Sequence, residues 1–339
     1  GINYFTFLMT FFSCVMAIEV LIGYVRLKAA IRKKFDSPER FAIGDTYSGR
    51  LNYLLNIAIP LSILLGILIY GNWVPLKAIL EGPNFKVNWE EGRALISPDE
   101  SSRILAFGVW KDKWLVLVES EEGTKEIRVI DADGSISGQS FQTPAYIQPA
   151  CGELPVDGET LLIADTNSRM VLGIDLNSSL ASRKAIINLT LPFGYLRMTA
   201  MATTLWNNKS VWLIANYLYT RKTYIVDPDI ALKKGSVLEG VIGSYTNGGF
   251  PSGIVVLNGE IIELNKSPFN ALIYIASLEK LFQGSNLLES SKRKLSVPDK
   301  NCLGLAISGN ELILISGLGR TFHVPLKDVL GKTWKDLNS

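Results

Sequence analysis

Two long apolar runs, followed by a change of period, set the plan of this chain. Residues 3–25 and 51–71 are apolar almost throughout, and each is long enough to cross a bilayer as a helix of about 20 residues rising 1.5 Å apiece. Beyond residue 75 the long runs stop. Short apolar stretches rich in Val, Ile, Leu and Tyr alternate with turns that contain Gly, Asn and Asp, which is the pattern of strands. The sequence therefore predicts a membrane-anchored all-β protein. It has a two-helix hairpin in 1–75, a linker in 76–100, and an all-β outer domain in 101–339.

The polar positions inside the two runs suggest contact faces. In the first run Thr6, Thr10, Ser13 and Ala17 fall on one narrow helical stripe, where small and hydroxyl residues let another helix approach. Glu19 lies nearly opposite. A carboxylate within a span is costly and points to a partner. The other readings are a neutral group or one reaching the interface near Arg26, and, third, a proton relay. In the second run Ala58, Ser62 and Gly66 form a small-xxx-small face, and Asn56 lies beside it with Asn52 and Pro60. The connecting loop 26–50 holds Arg26, Lys28, Arg32, Lys33, Lys34, Arg40 and Arg50 against three acidic residues, so it should stay cytoplasmic. The expected location is the cell membrane, crossed twice, with both termini outside. The run 2–25 is too long for a typical signal-peptide core and lacks a small-residue cleavage site, so it reads as a retained helix.

In the outer domain one unit recurs: an apolar strand, a polar turn with a basic residue, a second apolar strand, and often Asp. The copies are 114–134, 161–177, 211–229, 259–280 and 311–328. Each follows another strand-like stretch, such as 104–110, 196–203, 253–257 or 303–308. Groups of three or four short strands at periods of about 40–50 residues indicate a β-propeller. In the second copy Leu162, Ile163, Ala164, Asp165, Thr166, Asn167, Ser168 and Arg169, then Val171, Leu172, Gly173, Ile174 and Asp175, resemble the strand-turn-strand core of NHL-type and YVTN/PQQ-like propeller repeats. The resemblance implies a propeller fold and a binding platform; it implies no particular ligand. Five blades are expected, with six, or a β-sandwich, as alternatives. The last copy has three good strands, and 85–89 is the candidate for its missing outer one. Alternation in 126–130 suggests an outer strand, and the continuous run 312–315 an inner one.

Composition narrows the chemistry. A net charge of +2 gives no footprint for nucleic acid, and the mean hydropathy of +0.21 owes its excess to the first 75 residues. With three cysteines, no CxxC and a single histidine, a Cys/His zinc site is not expected. Cys151 and Cys302 can form a disulfide if the domain faces an oxidising compartment; two buried free thiols are the favoured reading. His323, in a strand, reads as structural. P-loop, GxGxxG, GxSxG and haem-attachment motifs are absent, and no cofactor is expected. Asp131, Asp133, Asp165, Asp175, Asp227 and Asp229 recur at repeat turns. There they either cap turns or face a channel as an acid/base pair for glycoside cleavage, and their matched places favour capping. Four sequons, at Asn177, Asn188, Asn208 and Asn265, all follow the second apolar run.

These readings point to an accessory subunit of a larger membrane complex that presents an outer propeller as an interaction platform. Its expected partners are other integral membrane subunits and the bilayer. A ligand- or glycan-binding receptor is the alternative, and a glycan-active hydrolase comes third.

Overall fold

A computed structural model describes residues 83–331, apart from 93, 96–101, 132–133, 218–220, 248 and 267–270. The two apolar runs, loop 26–50 and the contact residues Thr6, Thr10, Ser13, Ala17, Glu19, Asn56, Ala58, Ser62 and Gly66 lie outside the described residues. Among the described residues no helix is long and apolar enough to cross a membrane.

Twenty strands form five antiparallel four-stranded sheets. Blade 1 holds β2 to β5 (Arg103–Trp110, Lys113–Glu119, Lys125–Ile130, Ile136–Thr143), and blade 2 holds β6 to β9 (Val156–Asp157, Thr160–Asp165, Met170–Asp175, Ile187–Pro192). Blade 3 holds β10 to β13 (Met198–Trp206, Lys209–Asn216, Lys222–Val226, Val241–Thr246). Blade 4 holds β14 to β17 (Pro251–Leu257, Glu260–Lys266, Ala271–Ser277, Arg293–Ser296). Blade 5 is built from both ends of the domain: β18 to β20 (Cys302–Ser308, Glu311–Ser316, Thr321–Pro325) are completed by β1 (Glu90–Glu91). This is a five-bladed β-propeller, as the repeat predicts.

The core lies in layers between blades. One cluster joins Ile104, Phe107 and Val116 of blade 1 to Ala306, Ile313 and Ile315 of blade 5. Others join blade 1 to 2, 2 to 3, and 4 to 5. The second strand of each blade is flanked by strands on both edges and by blades on both faces, and is buried almost end to end. Residues 312–315, read as an inner strand, are the second strand of their blade, and 126–130, read as an outer one, belong to the third. The innermost strands leave one edge on the axis, so the most continuous burial falls one strand further out.

The closing strand differs from expectation. Residues 85–89 do not supply it. Glu90 and Glu91 pair with His323 and Phe322, while Phe85 bridges to Leu295 of blade 4. Lys294 N donates to Asn84 Oδ1 at 2.7 Å, and Trp89 Nε1 donates to Ser296 O at 2.9 Å. Val87 and Trp89 pack on the cluster between blades 4 and 5, which produces the strand-like alternation without strand pairing. Beyond β1, Gly92 N and Leu95 N donate to Thr321 O and Gly319 O.

The hairpins between first and second strands are tight. Lys111-Asp112, Asn207-Asn208 and Asn258-Gly259 have positive φ at both central positions, the geometry that matches strand twist. They share one end of the ring with the short helices that follow the third strands of blades 2 to 5: Leu176–Ser182, Pro228–Lys234, Leu278–Phe282 with Leu287–Ser290, and Leu326–Leu330. The loops between second and third strands, and the connections between blades, lie at the other end.

Candidate functional site

A repeated device shapes the axis. The innermost strands of blades 1, 3, 4 and 5 each shift register near their start, and a small residue follows the shift: Ala106, Ala200, Gly253 and Gly304. In blades 1, 4 and 5 that residue stands four positions before the last residue of the strand, at Trp110, Leu257 and Ser308. In blade 2 the residue four positions before Asp157 is Glu153. Blade 2 thus places a carboxylic acid where its neighbours place Ala or Gly.

The chain bends to allow this. Pro149 still faces Asp165 of β7 and Ala150 N donates to Ala164 O, but 151–154 bow away toward blade 1. Phe107 N donates to Gly152 O at 2.8 Å, and Leu154 N donates to Phe107 O at 2.7 Å. Gly108 is required here, because any Cβ would collide with the Leu154 carbonyl. The Glu153 side chain then reaches blades 4 and 5. A Cβ on Gly253 would come within 2.6 Å of Glu153 Oε1, and one on Gly304 would overlap the same carboxyl. The two glycines are the cradle of that group.

Glu153 is only 5 % exposed. Leu305 N donates to its Oε1 at 3.4 Å, a long bond, and its Oε2 is buried without a partner. Leaving a buried acceptor unpaired costs on the order of 1–3 kcal/mol. Burial pushes the Glu153 carboxyl well above the usual range, and the Leu305 and Met201 amides and the Lys266 charge only partly oppose that. Lys266 is no ion-pair partner, since its ammonium donates to the Cys302 carbonyl.

On the hairpin side of Glu153 lies an axial cavity of about 210 Å³. Each innermost strand lends it a run of residues: 107–109, 153–156, 201–203, 254–256 and 305–307. Val109, Val156, Val256 and Ile307 contribute to its wall, and Glu153 is its one carboxylate.

The residues singled out from the sequence fall elsewhere. Asp165 is fully buried and accepts from Gln148 N at 2.6 Å, Ser168 N at 2.8 Å and Ser168 Oγ at 2.5 Å. Asp175 and Asp227 cap helices, accepting from Ser178 N at 2.6 Å and Ile230 N at 3.1 Å. Asp131 pairs with Lys113 at 3.0 Å, Asp229 sits in a first helical turn, and Asp133 lies outside the described residues. None of the described ones lines the axis, and Asp165, Asp175 and Asp227 have the capping role. His323 lies between Glu311 Oε2 (2.9 Å) and Thr321 Oγ1 (3.1 Å), in a structural setting.

Cys151 and Cys302 are free and buried, and the disulfide considered for them does not form. Each is fixed in its own layer, Cys151 between blades 2 and 3 and Cys302 between blades 4 and 5. Burial raises both thiols, Cys302 to about 11. Asn177, Asn188 and Asn208 are exposed, whereas Asn265 is buried and donates to Glu263 at 3.0 Å, out of reach of modification in the folded state.

Glu153 escapes a reading of the sequence that aligns copies on their second and third strands. The strand-like stretch expected before every copy is cut to two regularly paired residues before the second. Counting back from the Gly158 hairpin exposes the anomaly.

Fold and axis together define a five-bladed β-propeller with a buried carboxyl at the head of its axial cavity. No protein-family model and no curated protein matches the chain. Among solved structures it is similar to the glutaminyl cyclase of Myxococcus xanthus, at 11 % identity over 72 % of this chain and 97 % of that one, with a TM-score of 0.48. A chain of the Kuenenia stuttgartiensis hydrazine synthase shares 12 % identity over 72 % and 83 %, with a TM-score of 0.42. BamB from Moraxella catarrhalis shares 10 % over 65 % and 82 %, with a TM-score of 0.32. At these values the likenesses carry no functional argument, and strand pairing alone assigns the fold.

Proposed function

We propose that this chain is an accessory subunit of a larger membrane complex, anchored by its two N-terminal apolar runs and presenting the propeller as an interaction platform. The observation that carries the reading is a concentration of exposed aliphatic residues. Of nine exposed large hydrophobic residues among those described, Ile186, Leu205, Ile230, Leu232 and Ile242 all belong to the hairpin-and-helix end of blades 2 and 3. Leu205 is 71 % and Ile242 51 % exposed. Single exposed apolar residues need no explanation, but a cluster on two adjacent blades marks a surface that another protein covers.

The axis supports the same reading by its size and charge. A cavity of about 210 Å³ is below the roughly 300–1,000 Å³ of sites for drug-sized ligands. Its one carboxylate cannot supply the pair that glycoside cleavage uses. The sequence supports the anchor: residues 72–83 separate the second apolar run from Asn84, the first among the described residues bonded into the ring.

The test is gentle detergent extraction of the full chain, then sizing and mass spectrometry of whatever travels with it. Leu205→Glu combined with Leu232→Glu should release a stoichiometric partner while the circular dichroism of the propeller is unchanged. Replacing Ala58, Ser62 and Gly66 with Leu should release a partner held through the membrane. A wild-type chain that extracts as a lone monomer would sink the reading.

A further inference from the structure

We propose that the axial cavity is a binding site for a small primary alkylammonium group, whose nitrogen meets Glu153 and whose alkyl stem lies among Val109, Val156, Val256 and Ile307. The site is built, not incidental. Glu153 replaces the small residue found at the matching place in the other blades, the strand leaves its partner to bring it there, and Gly253 and Gly304 make room for its carboxyl. The result is a buried carboxyl with one oxygen unsatisfied, at the deep end of a cavity lined partly by aliphatic residues.

That arrangement selects its ligand class. A buried acceptor without a partner calls for a donor or a cation. Calcium takes six to eight oxygen ligands and zinc favours several Cys or His, whereas this cavity offers one carboxylate and, among the described residues, no cluster of metal-binding side chains occurs. A primary ammonium has three N–H donors on one nitrogen, so a single carboxylate and nearby backbone carbonyls suffice. The aliphatic residues suit a short alkyl chain, and about 210 Å³ accommodates a group of lysine side-chain size.

Burial favours the neutral form of the carboxyl over the ionised one; the other titratable groups acting on it are Lys266 from blade 4 and the Cys151 and Cys302 thiols. Binding of the cation therefore displaces a proton to solvent.

The experiment is calorimetric titration of the full-length chain in detergent with n-butylammonium chloride, in two buffers of different ionisation enthalpy. Saturable binding is expected with close to one proton released per ligand, at least about tenfold tighter than n-butanol of the same shape. Glu153→Gln should lose at least tenfold in affinity and abolish proton release. Should that variant not fold, the comparison of butylammonium with butanol on the wild type decides alone. Equal binding of the two, no saturable heat at millimolar ligand, or undiminished binding by a folded Glu153→Gln protein overturns the proposal and leaves water as the occupant.

Discussion

Blades 2 and 3 are neighbours built alike except at the axis. Each has a buried second strand, an Asp at or just after the end of the third strand that caps a short helix, and an outer strand returning along the edge. Their innermost strands diverge. Blade 3 runs nine residues from Met198 to Trp206 with Ala200 at the narrow point, while blade 2 keeps two regular residues and sends 151–154 across to blade 1. All four strands lend side chains to the layers between blades, but the innermost strand has one edge, on the axis, without a pairing strand. That is where a blade can give up regular pairing to position a polar group.

Breaking that exception should have the largest effect. Gly108→Ala places a methyl into the Leu154 carbonyl, a backbone atom held by the bond from Leu154 N to Phe107 O. The loss should reach or exceed the roughly 3 kcal/mol upper end of over-packing, read as a lower urea midpoint at unchanged slope. Ala200→Gly in blade 3 should cost about 1 kcal/mol or less, chiefly through backbone entropy. If both cost the same, the detour of blade 2 is not a tight fit. Next comes Asp165→Ala, which removes the carboxylate that organises Gln148, Asn167 and Ser168 at the turn of blade 2. Hydrogen bonds to a charged group are worth about 1.5–3 kcal/mol each, so a loss of about 3 kcal/mol is expected, with Asp165→Asn recovering part of it.

The sequence discloses these features unevenly. Asp165 stands out because it ends an apolar strand and precedes Thr-Asn-Ser, and such a place favours an acceptor for turn amides. Second and third strands are legible because burial on both faces leaves long apolar runs such as Leu312 to Ile315. Glu153 is hidden because its meaning depends on residues far along the chain, Gly253, Gly304 and Leu305, which become neighbours only when the ring closes. Glu90 and Glu91 are hidden for a related reason. A two-residue edge strand needs no apolar side chain, and the alternation that does appear, in Val87 and Trp89, reports packing against blades 4 and 5.

Glu153 gives the comparison a pH signature. Its folded-state titration lies above the ordinary value of 4.5, so between the two the native state holds a proton that the unfolded chain has released. Stability from this group is fully present below about pH 4.5 and declines as pH rises toward the folded value, by up to about 1.4 kcal/mol per pH unit. Glu159 and Asp175, both lowered, act in the opposite sense and at lower pH, so the difference between variants is the useful quantity. Wild type minus Glu153→Gln should fall with pH from about 4.5 upward, followed by chemical unfolding at several pH values. A flat difference would mean that the carboxyl is hydrated or paired in the folded protein.

The smallest expected effect concerns what blades 2 and 3 share and blade 4 lacks. Asp227 accepts from Ile230 N and, with Pro228 in the first turn, starts the helix Pro228–Lys234. In blade 4 the equivalent place is Ser277, in the same extended conformation but with no side-chain hydrogen bond to its helix. Asp227→Ala should cost about 1 kcal/mol, the usual loss of an N-cap. Ser277→Asp should instead gain a few tenths to about 1 kcal/mol, because a carboxylate there can accept from the amide of Glu279 or Lys280 in the first turn and lies at the favourable end of the helix dipole. Both changes are read as shifts in the urea midpoint. A gain at Ser277 as large as the loss at Asp227 would show that the caps are interchangeable parts of one repeated blade. No gain would show that packing of Leu278 and Leu281 against the blade already fixes that helix, leaving the cap nothing to add.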